Sequence, residues 1–184
     1  MCCLLVAGLA LTGCAHKETA RDQEQKARKY LIEGTVFLKQ SDIVKAVESF
    51  AAAIKVAPDY FESYYLLAET FLRLKQFPQA ASVMATAAKQ FPDNGLVYYL
   101  LSVAHEGAGN KMLAIVAAKK SVELFNAKGD KEGQQRAMIL LATLVSEAKK
   151  DAAEVKASAV EAAGEVVAEI PAADAPVADA STAE

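Results

Sequence analysis

Side chains that could act as nucleophiles, bases or metal ligands are scarce here, and they stand apart from one another. The three cysteines, Cys2, Cys3 and Cys14, all lie at the N-terminal end. No thiol remains beyond them for a disulfide framework or a cysteine-ligated metal. His16 and His105 are the two histidines. No Cys, Asp or Glu stands at ligand spacing on the face of His105, and Phe37 and Phe71 occupy the same place at earlier steps of 34 residues. That makes it a packing histidine rather than a base or ligand. Ser63, Ser82 and Ser102 lack the glycine-rich elbow of a serine nucleophile. Gly107-Ala108-Gly109-Asn110 reads as a turn before a helix, not as a phosphate cradle. Carboxylates are plentiful but mixed with lysines, the pattern of solvated helix faces. The expectation is a chain with no catalytic residue, no metal and no cofactor.

Composition then says what must position the rest. The 184 residues are 53% apolar, with 23 acidic and 20 basic side chains and a formal charge of −3. That length suits one domain with a real core. A near-neutral balance lacks the basic stripe of a nucleic-acid binder. Alanine supplies much of the apolar excess, and the five prolines are spread out, so an all-α fold is expected.

From Ala27 the sequence repeats itself at 34 residues: Tyr30, Tyr64, Tyr98; Ala46, Ala80, Ala114; Phe37 with Phe71; Pro58 with Pro92. This period, with an aromatic, a small residue, a second aromatic and a late proline, resembles the tetratricopeptide repeat. Repeats are placed at 27–60, 61–94 and 95–130, the third departing most. Small residues at Gly34, Ala68 and Ser102 should face Ala46, Ala80 and Ala114, letting paired helices approach closely. Ser41-Asp42, Gln76-Phe77-Pro78 and Gly109-Asn110 are read as the turns within repeats. All thirteen Tyr and Phe residues fall between Tyr30 and Phe125, which places the core there. The resemblance implies a right-handed α-α superhelix of three hairpins, with a capping helix at 131–150 over the last one.

The ends read differently. Residues 14–26 are polar after the cysteine and read as a tether. From Asp151 onward there are eight acids and one base, leaving +4 on residues 1–150. This Ala-rich acidic tail, 151–184, is expected to continue as a ragged helix, stop at Pro171 and then be disordered. At the other end, the apolar run over Cys2–Leu11 is too short to span a bilayer and suits a signal peptide. Only Met1 precedes it, so a basic segment is expected upstream. Leu11-Thr12-Gly13-Cys14 resembles the bacterial lipoprotein box. The resemblance implies a signal peptide at 1–13, a covalent lipid on Cys14, and, with Ala15 next, an outer-membrane anchor facing the periplasm.

Tetratricopeptide arrays line their concave face with the first helix of each repeat. The resemblance therefore implies a groove of Leu31, Thr35 and Leu38, then Tyr65, Glu69 and Leu72, then Tyr99, Val103 and Glu106. Adjacent tyrosines cannot share a helix face, so Tyr64 and Tyr98 should fill the core instead. The family's carboxylate clamp places Lys and Asn at such positions, and neither occurs here. A helix or extended segment with apolar anchors and a basic residue would suit a groove edged by Glu69 and Glu106. The function expected is that of a non-catalytic adaptor or scaffold in envelope, pilus or secretion assembly. Self-assembly into a homo-oligomer and carriage of an apolar ligand are the alternatives.

Overall fold

The computed structural model describes residues 19–168, with side chains through Val155. Seven helices follow in order: α1 Ala20–Lys39, α2 Ile43–Val56, α3 Phe61–Arg73, α4 Phe77–Gln90, α5 Gly95–Gly107, α6 Lys111–Ala127 and α7 Lys131–Ala168. No strand occurs among the described residues. The all-α hairpin array expected from the repeat is the fold that forms.

Small residues decide where helices meet. Ala46, Ala68, Ala80 and Ala114 have no exposed surface. A Cβ added to Gly34 would lie 2.5 Å from the ring of Phe50, so α1 and α2 close directly onto that aromatic. In the third hairpin Ser102 donates from Oγ to the Ala114 carbonyl at 2.8 Å, fixing α5 against α6. Ser121, standing where the earlier repeats have alanine, donates to the Gly95 carbonyl at 2.9 Å. Both hydroxyls are buried, and each escapes the desolvation penalty by finding a backbone acceptor.

The repeat reaches into the turns. Ser41, Lys75 and Gly109, again 34 apart, all take left-handed conformations, with φ of 62°, 57° and 77°. Only the third is a glycine; at the other two positions the strain costs roughly 1–2 kcal/mol, which packing of the hairpin must offset. Phe77 and Pro78 belong to α4 rather than to the turn, because proline is accepted in a helix's first turn. Phe77 then lies across Gly107, where a Cβ would come within 2.3 Å of its ring.

One boundary differs from expectation, and another lies within it. Residues 20–26 are helical, not tether. Thr19 accepts from the Asp22 amide at 3.3 Å while Asp22 accepts from the Thr19 amide at 3.0 Å, a reciprocal cap that starts α1 early. Arg28 and Glu24 support that first stretch at 2.8 Å. The closing helix continues past 150 to Ala168, because its alanine-rich extension contains no proline. Lys111 of α6 also pairs with Asp151, holding α7 where it would otherwise leave the array. The expected signal peptide at 1–13, Cys14 and the segment from Glu169 onward lie outside the described residues.

Contacts between hairpins are uneven. The first helices touch in succession, α1 with α3, α3 with α5, and α5 with α7. The second helices do not: α2 and α4, and likewise α4 and α6, have no Cα atoms within 8 Å. One side of the array is therefore closed and concave, the other splayed. No helix among the described residues is long and apolar enough to cross a membrane.

Gly34 tests the packing against helix propensity. Alanine there gains up to about 1 kcal/mol as a better helix former. The clash with fully buried Phe50 should cost about 1–3 kcal/mol by overpacking. The Gly34→Ala variant is expected to melt below the parent; a higher melting temperature would show that Phe50 is free to move.

Candidate functional site

The concave side is lined by α1, α3, α5 and α7, and its relief is concentrated at two places. Between α1 and α3 lies a depression of about 340 Å³ formed by Thr35, Leu38, Lys39, Leu66, Glu69, Thr70 and Arg73. Between α5 and α7 lies another of about 280 Å³, formed by Tyr99, Arg136, Ile139, Leu140 and Thr143. Both combine aliphatic or aromatic walls with a guanidinium at the rim.

The nine residues expected to line the groove separate accordingly. Thr35, Leu38 and Glu69 stand together in the first depression and Tyr99 in the second. Leu31 is only 6% exposed and belongs to the first core cluster, so it offers the groove little surface. Leu72 packs half-buried against Met84, Val97 and their neighbours. Tyr65, Val103 and Glu106 are half-buried on the first helices of the second and third repeats. Tyr65 leans on Phe61, ring centroids 6.3 Å apart. Its neighbour Tyr64 is 2% exposed and meets Phe91 edge-on at 5.8 Å, so those two tyrosines do face opposite ways. Tyr98 is also turned from Tyr99, but it reaches the splayed side of the array instead of closing fully into the core.

Hydrogen bonds and charges limit what the groove can offer. The Thr35 and Thr70 hydroxyls donate to the carbonyls of Leu31 and Leu66, each at 2.7 Å, and are occupied by their own helices. Glu69 is paired with Arg73 at 2.7 Å, so its charge is already answered. Glu106 differs. Burial, then the charge of Glu147 on α7, pushes its carboxyl above the usual range. Two carboxylates thus face one region at the α5–α7 end of the groove. Burial, with the charges of Glu69 and Glu62, likewise raises the Tyr65 phenol. His105 is on the opposite side of α5, and burial lowers its pKa. Among the described residues no group of three or more His, Cys, Asp or Glu could hold a metal.

Sequence reasoning missed Lys39, Leu66, Thr70 and Arg73, and the whole contribution of α7. The first four follow from the repeat: a helix presents one edge to the helix before it and another to the helix after, so each cleft takes both. The α7 residues were hidden because that helix reads as a cap, although it continues the concave layer as a fourth first helix.

Comparison with known proteins agrees with this geometry. Residues 37–104 match the tetratricopeptide repeat family. No curated protein matches the chain. Among solved structures, the chain is similar to the TPR2B domain of yeast Sti1 in its pHsp70 complex, with 20% identity over 67% of this chain and 98% of that one, and a TM-score of 0.60. It is similar to the TPR domain of Sgt2 from Aspergillus fumigatus, with 20% identity, 83% and 90% of the two chains covered, and a TM-score of 0.57. The second TPR domain of human RPAP3, bound to an HSP70 peptide, shares 14% identity over 68% of this chain and 98% of its own, with a TM-score of 0.55. The fold is thus the tetratricopeptide superhelix of three helix hairpins and a closing helix, and residues 37–104 match the family that shares it.

Proposed function

We propose that this chain is a non-catalytic adaptor that holds a segment of a partner protein in its concave groove, tethered to a bacterial envelope membrane by lipid on Cys14. The observation that carries the reading is the pair of clefts between successive first helices, each combining apolar walls with charge. The yeast Sti1 and human RPAP3 domains of this fold hold chaperone peptides, which supports a polypeptide occupant. The chaperone-type C-terminus itself does not suit this groove, since none of the nine expected groove positions carries the Lys or Asn that the carboxylate clamp uses. The basic anchor suggested by the sequence belongs at Glu106 and Glu147, because Glu69 is engaged by Arg73. The lipid anchor rests on Leu11-Thr12-Gly13-Cys14, and Ala15 favours the outer membrane with the array in the periplasm. Self-association is a second reading, favoured by Ile32 and Val36, which are 67% and 44% exposed on α1.

Three measurements test this. Aromatic anchors in such grooves contribute about 2 kcal/mol or more when truncated. The Tyr65→Ala, Tyr99→Ala double variant should keep its helicity by circular dichroism and lose a partner recovered by crosslinking in intact cells. Tyr64→Ala, by contrast, should lower the melting temperature, as it empties a buried aromatic site. A normal pull-down with the first variant would move the interaction off the groove.

The anchor is tested by fractionation: Cys14→Ser should release a folded protein from the membrane pellet, and quantitative retention in detergent would refute the lipid.

The third concerns pH. The Glu106 carboxyl has its pKa raised on folding, so the protonated form favours the folded state. That stability is fully present below the ordinary glutamate range and is lost as pH rises through the raised value. Glu106→Gln should therefore raise the melting temperature near neutral pH and leave it unchanged in acid. An equal effect at both would mean that charge is not the cause.

A further inference from the structure

The splayed side of the array holds a second groove with different chemistry. Because α4 and α6 diverge while both flank α5, the outer face of α5 becomes a floor between them. Tyr98, Leu101 and His105 form this floor, with Leu113, Val116 and Lys120 as one wall, around a depression of about 360 Å³. His105 also lines an adjoining depression of about 440 Å³, whose wall is Pro78, Ala81 and Ala85 of α4. The two share His105 and run together as one trough.

Repeat register shows that this wall is unusual surface. One repeat before Leu113 stands Gln79, and two before stands Lys45; before Val116 stand Ser82 and Glu48. The third hairpin carries aliphatic side chains where the other two are polar. Leu113 and Val116 are 53% and 62% exposed, and Met112 beside them 72%. None serves the core of its own hairpin, which Ala114, Ala117, Ala118 and Ser121 supply. Clustered apolar exposure of this kind marks an interaction site.

Charge specifies the occupant. α4 contains no acidic residue, and α6 contains one, Glu123, against Lys89, Lys111, Lys119 and Lys120 along the two helices, of which Lys120 lines the trough. Lys111 is committed to Asp151. Lys120 approaches Glu123 only to 4.0 Å, both side chains being well exposed, a contact of little strength. The trough is therefore apolar at its floor, and Lys120 supplies the one full charge among its lining residues.

We propose that this outer trough is a second docking site, for a short segment of another protein whose apolar anchors are flanked by carboxylates. The anchors would settle between Tyr98, Leu101 and Val116, and a carboxylate would meet Lys120. Opposite faces of α5 serve the two grooves, so both can be filled together and the chain would bridge two proteins. The outer site itself does not depend on what the concave groove holds, whereas the bridging role rests on the proposed function.

A random dodecapeptide library selected against the full chain, and counter-selected on Val116→Glu, tests it. Recovered peptides should pair apolar residues with net negative charge and shift the amide resonances of Leu101 and His105. Their affinity should fall about tenfold or more with Val116→Glu or with Lys120→Glu, and be unchanged with Tyr99→Ala. Both substituted positions are exposed, and circular dichroism checks that the variants fold. Neutral or basic peptides, equal binding to Val116→Glu, or no peptide recovered would overturn the proposal. So would a dimer dissolved by Val116→Glu, which makes a second copy the occupant. Binding that appears only after removal of residues 169–184 would overturn it too, assigning the trough to the chain's own tail.

Discussion

Helices in this array meet where a side chain has been reduced to a hydrogen, a methyl or a hydroxymethyl, and the architecture follows from that closeness. Gly34 lets α1 settle on the ring of Phe50; Gly107 gives Phe77 a seat between the second and third hairpins. Ser102 keeps the approach of α5 to α6 while satisfying a carbonyl within it. A packed interior has no slack to absorb an extra methylene without moving a backbone. The positions of the small residues therefore set the angle of each hairpin, and the angle sets which helices converge.

Convergence on one side means divergence on the other. The same stacking that brings α3 to α5 and α5 to α7 keeps α4 away from α6. Grooves on the two sides thus share a cause, while their chemistry is independent. The inner clefts carry guanidinium and carboxylate groups partly answered by each other, as in Glu69 with Arg73. The outer trough carries Lys120 beside an apolar floor.

Much of this was legible in the sequence because the repeat writes its packing in residue types that do little else. A stepped series of alanines and tyrosines indicated the hairpins, the buried face of Tyr64 and the groove-facing side of Tyr99. It even extended to the turns, where Ser41, Lys75 and Gly109 share one backbone conformation. The early start of α1 was also readable, in the Thr19 and Asp22 pair, but a polar stretch without apolar period masks such a cap. What could not be read was proximity across repeats. Arg73 enters the groove through Thr35 and Leu38 of the helix before it, and His105 joins α4 to α6 only once the second helices are seen to part.

The position of α5 between two grooves leaves a mark on its composition. From Gly95 to Ala104 the chain has no charged residue and reads GLVYYLLSVA. In the folded array every residue of α5 except Gly107 is buried or half-buried, so the run is hidden between its neighbours. Taken out of that setting it is a β-prone, uncharged, proline-free segment of the kind that adds onto copies of itself. The flanking hairpins and α7 therefore also act as guards against aggregation. In an unfolded chain this stretch is open to pairing until the helices that flank it close over it.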